Sequence, residues 1–285
     1  MRYSRAGGLD PCRPTCNRKP TSPESRLTTA QEIITAEDTP DGLITVADET
    51  TVRAEVAVWR ARILKPPGLW DKTTRGAQDR INKVIPERVH QIVTAGVEAM
   101  TKGILFGSDL LKARPAPHAS LAASELKARA AIKVYRNTAG VEGGVAGAGG
   151  FVLAAADFPA LMAIKVRMLG DIVAAYGWGG GSLRERLFVL HIFHLAFASA
   201  RRRPEALADL ERWIAGVDQP EAITDYDWRT FQIEYRDHID LAKMAQLIPV
   251  VGAPIGAVVN WRLVGRLGET AVMACRMRWM AEADL

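Results

Sequence analysis

The residues best equipped for chemistry crowd into one stretch, DWRTFQIEYRDHIDLAKM, which carries Glu234, Asp237, His238, Asp240 and Lys243. Carboxylates beside a histidine and a lysine are the material of general acid–base work or of a cation site. Their spacing weakens both ideas. At about 100° per residue, Glu234, Asp237 and Asp240 drift around a helix in steps of three and do not converge. No His-Glu-x-x-His or comparable signature is present. Arg236 and Lys243 are interleaved with the acids, so the first reading is a solvated, salt-bridged face. A hydrolase or metal-dependent enzyme built on this cluster is the alternative.

Other candidates are thinner. His191 and His194 sit three apart on an apolar segment. That spacing suits zinc, but nothing beside them completes a ligand set, so they read as core histidines. Gly179, Gly180 and Gly181 precede a helix start and could cradle a phosphate, yet the lysine and spacing of a P-loop are missing. Cys12, Cys16 and Cys275 form neither a disulfide framework nor a zinc set, and reduced thiols are expected. No catalytic residue, metal or cofactor is assigned.

Lys165 is the oddest residue. In FPALMAIKVRMLGDIVAAY, helical spacing puts Phe158, Leu161, Met162, Met168, Leu169, Ile172 and Tyr176 in one apolar stripe. Lys165 falls at its centre, while Arg167 and Asp171 lie opposite. Such a lysine can snorkel its amine to water. It can pair with a carboxylate such as Asp237 or Asp240, because an unpaired buried charge is costly. Or it can face a cavity holding an anionic ligand.

The elements that must place these residues read as helices. A first runs from Asp48–Thr51 through EVAVWRARIL to the stop at Lys65-Pro66-Pro67. A second covers roughly 74–106, bent at Pro86. A third begins near Ser120 and carries charge up to Arg136. Glycine then accumulates in TAGVEGGVAGAGG, where Gly140, Gly144 and Gly147 on a helix would let two backbones touch. A flexible loop competes, since each helical glycine costs about 1 kcal/mol against alanine. Asp157-Phe158-Pro159 opens the Lys165 helix, and Gly177 ends it. Ser182-x-x-Glu185 is a capping box for LFVLHIFHLAFASA, which closes on Arg201, Arg202 and Arg203. A short helix follows Pro204, a long one spans 228–247, and 265–282 completes the chain. No strand pattern recurs. The expectation is an all-α, multi-helix globule with Gly/Ala/Pro-rich apolar helical hairpins. Residues 1–45, without periodicity, read as a disordered arm, and 46–285 as one domain.

The chain has 285 residues, 48% of them hydrophobic, and a net charge of +5. This mild basic excess fits an acidic membrane surface or nucleic acid about equally well, and also no partner in particular. Nucleic acid is disfavoured, because the cations are not interleaved with stacking aromatics. MAQLIPVVGAPIGAVVNW, from Met244 to Trp261, carries no charge. It reaches the lower edge of a bilayer span. But Pro249, Gly252, Pro254 and Gly256 interrupt it, and freed carbonyls need partners in hydrocarbon. A helix–break–helix hairpin is expected, packed in the core or dipped into one leaflet, with the Gly140–Gly150 region as its partner.

The run from DWRTFQIEYRDHID through PVVGAPIGAVVNWRLVGRLGETAVMACRMR resembles the C-terminal signature of the EcsC family of bacterial proteins. DFPALMAIKVRMLGDIVAAYGW, followed by RERLFVLHIFHLAFASA, is similar to the family's middle segment. The resemblance covers roughly Ala77 to Met280. The family is named for a protein encoded beside an ABC transporter, so the resemblance implies an intracellular bacterial protein acting at the membrane. It carries no catalytic motif onto these positions.

The leading expectation is therefore a non-enzymatic protein, cytoplasmic and peripheral at the inner face of the membrane, with anionic lipid as its partner. Lys165, Arg201, Arg202, Arg203, Arg262 and Arg266, with Arg276 and Arg278, would meet head groups. Gly140, Gly144, Gly147, Pro249, Gly252, Pro254 and Gly256 would form helix contacts or a membrane wedge. An adaptor docking on a transporter or another protein is the remaining alternative.

Overall fold

The computed structural model describes residues 49–65, 87–105, 111, 113–115, 120–148, 158–179, 181–217 and 252–283. These form seven helices and no strand: α1 Glu49–Ile63, α2 Glu87–Leu105, α3 Leu121–Ala148, α4 Phe158–Ala175, α5 Leu183–Phe197, α6 Arg203–Ile214 and α7 Gly252–Ala283. The all-α expectation holds. The expected arm at 1–45 and the helix at 228–247 lie outside the described residues.

Each boundary has a local cause. In α1, Val52, Val56 and Trp59 recur at helical spacing and are the buried face. At the start of α5, the Ser182 hydroxyl accepts from the Glu185 N–H at 3.2 Å, the expected N-cap. The reciprocal half of the box is not made, because the Glu185 carboxylate is engaged by α7. Gly177 has φ 94°, a left-handed turn open to glycine, and it stops the chain just after α4.

α5 is apolar nearly all round, and a helix of that kind must be covered on every side. Leu187 to Phe197 is buried save for His191 and His194, which are half-buried. Phe188 stacks on Trp213 of α6 at 4.7 Å between centroids. Each fully buried side chain of this size contributes about 1.5–3 kcal/mol.

The most extensive packing joins α3 and α7, and α4 adjoins both. The pair is antiparallel: Gly140 meets Ala257 and Trp261, Arg136 meets Gly265, Ile132 meets Gly268, and Glu125 meets Arg276. At Gly268 an added Cβ would stand 2.6 Å from Ile132 Cγ1, so the closeness of the crossing depends on that glycine.

One open alternative closes here and one boundary moves. The glycine run does not open into a loop, since α3 continues through Gly140 and Gly144 to Ala148. The last helix also starts earlier than expected, because α7 begins at Gly252 and not at 265. Pro254 makes no break within it. It lies in the first turn, where a proline's missing N–H has no intrahelical partner to lose. Pro249 lies outside the described residues. No helix among the described residues is long and apolar enough to cross a membrane.

Candidate functional site

The charged residues of α7 divide into an inner and an outer group. Arg276 and Arg278 belong to the inner half and are only 3% and 5% exposed. Arg276 donates through Nε and Nη2 to the two carboxylate oxygens of Glu125 on α3, and through Nη1 to Glu55 on α1. Arg278 grips Glu185 of α5 with a matching fork at 2.6 and 2.8 Å, and its Nε reaches Glu282 at 2.8 Å. Aromatic rings box it in. Its guanidinium carbon is 4.1 Å from the Trp178 ring centroid, 5.1 Å from Phe188 and 5.2 Å from Trp213. The Trp178 indole N–H donates to Glu282 at 3.1 Å. Burial alone would lower both guanidinium pKa values. The hydrogen bonds to Glu125 and Glu55, and to Glu185 and Glu282, overcome it and raise them. Arg276 and Arg278 are structural clamps, which removes them from the set expected to meet head groups.

The outer group is different. Val258, Trp261, Arg262 and Arg266 are exposed on the N-terminal half of α7. On α3 the exposed face carries Leu126, Lys127, Ala130, Lys133, Val134, Asn137 and Val141, without a carboxylate. Val134 is 62% exposed and Val141 72%, high for side chains of this kind. Arg129 of α3 and Glu269 of α7 meet across the seam between the two helices at 4.0 Å. Arg136 lies flat on Trp261, its guanidinium carbon 3.5 Å from the ring centroid. Burial lowers the Arg136 pKa, with Glu269 opposing.

The remaining candidates separate. Lys165 is 3% exposed, so its amine does not snorkel to water. Its ammonium stands 5.2 Å from the Phe197 ring centroid, inside the core. Its expected partners Asp237 and Asp240 lie outside the described residues, as do Glu234, His238, Lys243 and Pro249. Asp171, expected to face solvent, instead accepts from the Tyr135 hydroxyl at 2.6 Å and joins α3 to α4. Burial and that bond push Tyr135 up to about 12. Arg201 and Arg202 are exposed, and Arg202 approaches Glu205 at 3.9 Å. Arg203 is half-buried and lies within electrostatic reach of Arg266. Gly252, Pro254, Gly256 and Gly147 lie within α7 and α3, and Gly140 and Gly144 sit on α3.

His191 is held low, at about 4, by burial and by His194 and Arg212. Cys275 is fully buried and its thiol is pushed up, which makes it unreactive. No group of three or more His, Cys, Asp or Glu among the described residues could hold a metal ion. Sequence reasoning missed both clamps and the Arg136–Trp261 stack. Only Arg278–Glu282, four apart on one helix, left a local signal.

Comparison with known proteins bears on residues 50–280, which match the EcsC protein family. Protein EcsC of Bacillus subtilis (strain 168) is 34% identical over 238 residues, covering 83% of this chain and 98% of that protein. YdbA of the same organism, described as uncharacterized, is 29% identical over 147 residues, covering 51% of this chain and 54% of its own length. No solved structure matches the chain.

Proposed function

The chain belongs to the EcsC protein family, and from that premise we propose that it is a non-enzymatic helical protein that docks on the anionic inner face of a bacterial membrane through exposed side chains of α3 and α7. The observation that carries this reading is the composition of those exposed positions. Exposed apolar side chains (Leu126, Val134, Val141, Val258, Trp261) alternate with cations (Lys127, Lys133, Arg262, Arg266). Apolar residues insert at the head-group boundary while cations meet acidic lipid, and neither alone anchors a protein firmly. Trp261 suits that boundary, since tryptophan favours the level of the head groups.

The reading shifts the expected contact surface. The wedge is not the proline-interrupted tract as a whole but the outer side of two rigid helices. Flotation of the full chain with vesicles tests it. The protein is expected to float with phosphatidylglycerol-containing vesicles at low salt, and less so with pure phosphatidylcholine. At ~1 kcal/mol per basic residue near the surface, Lys127→Gln with Lys133→Gln lowers partitioning on the order of 30-fold. A wild-type protein that stays wholly unbound at low salt overturns the proposal.

A further inference from the structure

We propose that Arg136, lying on Trp261 in the slot left by Gly265, is a socket for the phosphate of a lipid head group. The inference rests on the membrane-docking reading above and names its point of recognition. Arg136 Nε is buried and has no hydrogen-bond partner. The two buried arginines of α7 each hold a bidentate carboxylate, whereas Arg136 holds none among the described residues. Among the described residues Glu269 acts on it only at a distance and is the partner of Arg129. A partly desolvated guanidinium whose Nε makes no hydrogen bond gains from an anion placed at its outer edge.

Geometry says which anion. One face of the guanidinium is taken by the Trp261 ring at 3.5 Å and its Nε is covered, which leaves the two Nη groups as the edge for an in-plane acceptor. Phosphate oxygens match that fork, and a lysine in the same place would not reproduce it. Arg129 and Lys133 fall within about 60° of Arg136 around α3 and add positive potential to the same spot. Trp261 forms one wall of it, and exposed Val258 lies one turn away on α7. A site for a free anion has no use for an apolar surround, whereas a head group brings acyl chains with it. Gly265 keeps the slot open: a Cβ there would stand 2.8 Å from Arg136 Nε and 3.1 Å from Cζ, forcing the guanidinium aside.

The test compares variants that hold charge fixed. Arg136→Lys and Gly265→Ala both keep the net charge, and thermal unfolding checks that each remains folded. Each is expected to weaken binding to phosphatidylglycerol vesicles roughly tenfold, the scale of losing a charge-assisted hydrogen bond. If the wild type binds vesicles and both folded variants bind equally well, the socket is wrong and the docking reading survives. If the wild type does not bind vesicles, both fall. Titration of the full chain with inorganic phosphate alone separates the two sources. Binding that depends on Arg136 in the same way, without vesicles, would assign the site to a soluble phosphate and overturn the lipid head group.

Discussion

One helix treats the same side chain in two opposite ways. In the inner half of α7, Arg276 and Arg278 are buried and each is clasped by carboxylates from other helices. In the outer half, Arg262 and Arg266 are exposed on a face they share with Val258 and Trp261. The difference is what lies opposite. Glu125, Glu55 and Glu185 converge on the inner end, whereas at the outer end α3 brings Arg136 and Gly140 against α7. Burying a guanidinium demands a full set of acceptors, and only the inner end supplies them. Arginine content therefore says little about membrane binding until the partners are known.

That contrast can be broken by mutation, and the largest effect is expected at the clamps. Glu125→Ala or Glu185→Ala leaves a buried guanidinium without its fork and is expected to cost about 3–5 kcal/mol, read as a shift in the urea midpoint. A loss below 1 kcal/mol would mean that the inner pair is as replaceable as a surface one.

The next effect sharpens the picture of α5, which packs against α7. Folded His191 titrates at about 4, below its ordinary 6.5. Between those values the unfolded chain binds more protons than the folded one. Stability is then fully present above pH 6.5 and is lost as pH falls toward 4. His191→Asn is expected to remove about 2 kcal/mol of the stability difference between pH 7 and pH 5. Equal pH dependence in the two proteins would contradict the burial of the neutral ring.

Gly268→Ala probes the seam between the two halves. The methyl group meets the branched carbons of Ile132 at 2.6 to 3.1 Å, and overpacking outweighs the gain in helix propensity. A net loss of about 1–2 kcal/mol is expected in chemical denaturation. The smallest effect belongs to the outer group. Arg262→Ala is expected to leave stability within about 0.5 kcal/mol while weakening vesicle binding by about fivefold. A large stability loss there would erase the distinction between the halves.

Local patterns in the sequence were enough for most elements. The helix from Phe158, the cap at Ser182, the stop at Gly177 and the all-round apolar α5 each follow from neighbours within a few positions, because backbone hydrogen bonds and caps are local. The glycine run after Arg136 was ambiguous for a physical reason. Propensity argues against a helix there, and only packing against α7 repays the loss, an interaction with residues far along the chain.

Side-chain fate was decided at that longer range. Glu185 reads as half of a capping box, yet its carboxylate closes on Arg278, 93 positions away. Arg276 reads as a head-group contact and is instead a clamp on Glu125, 151 positions away. Lys165 was marked by its apolar stripe, but its burial beside Phe197 depends on α5. The sequence by itself determined an all-helical chain, its family and a surplus of cations. Which of those cations hold the molecule together and which remain on an outer face was left to the tertiary structure, because a charge is defined by the acceptors brought to it and those come from distant helices.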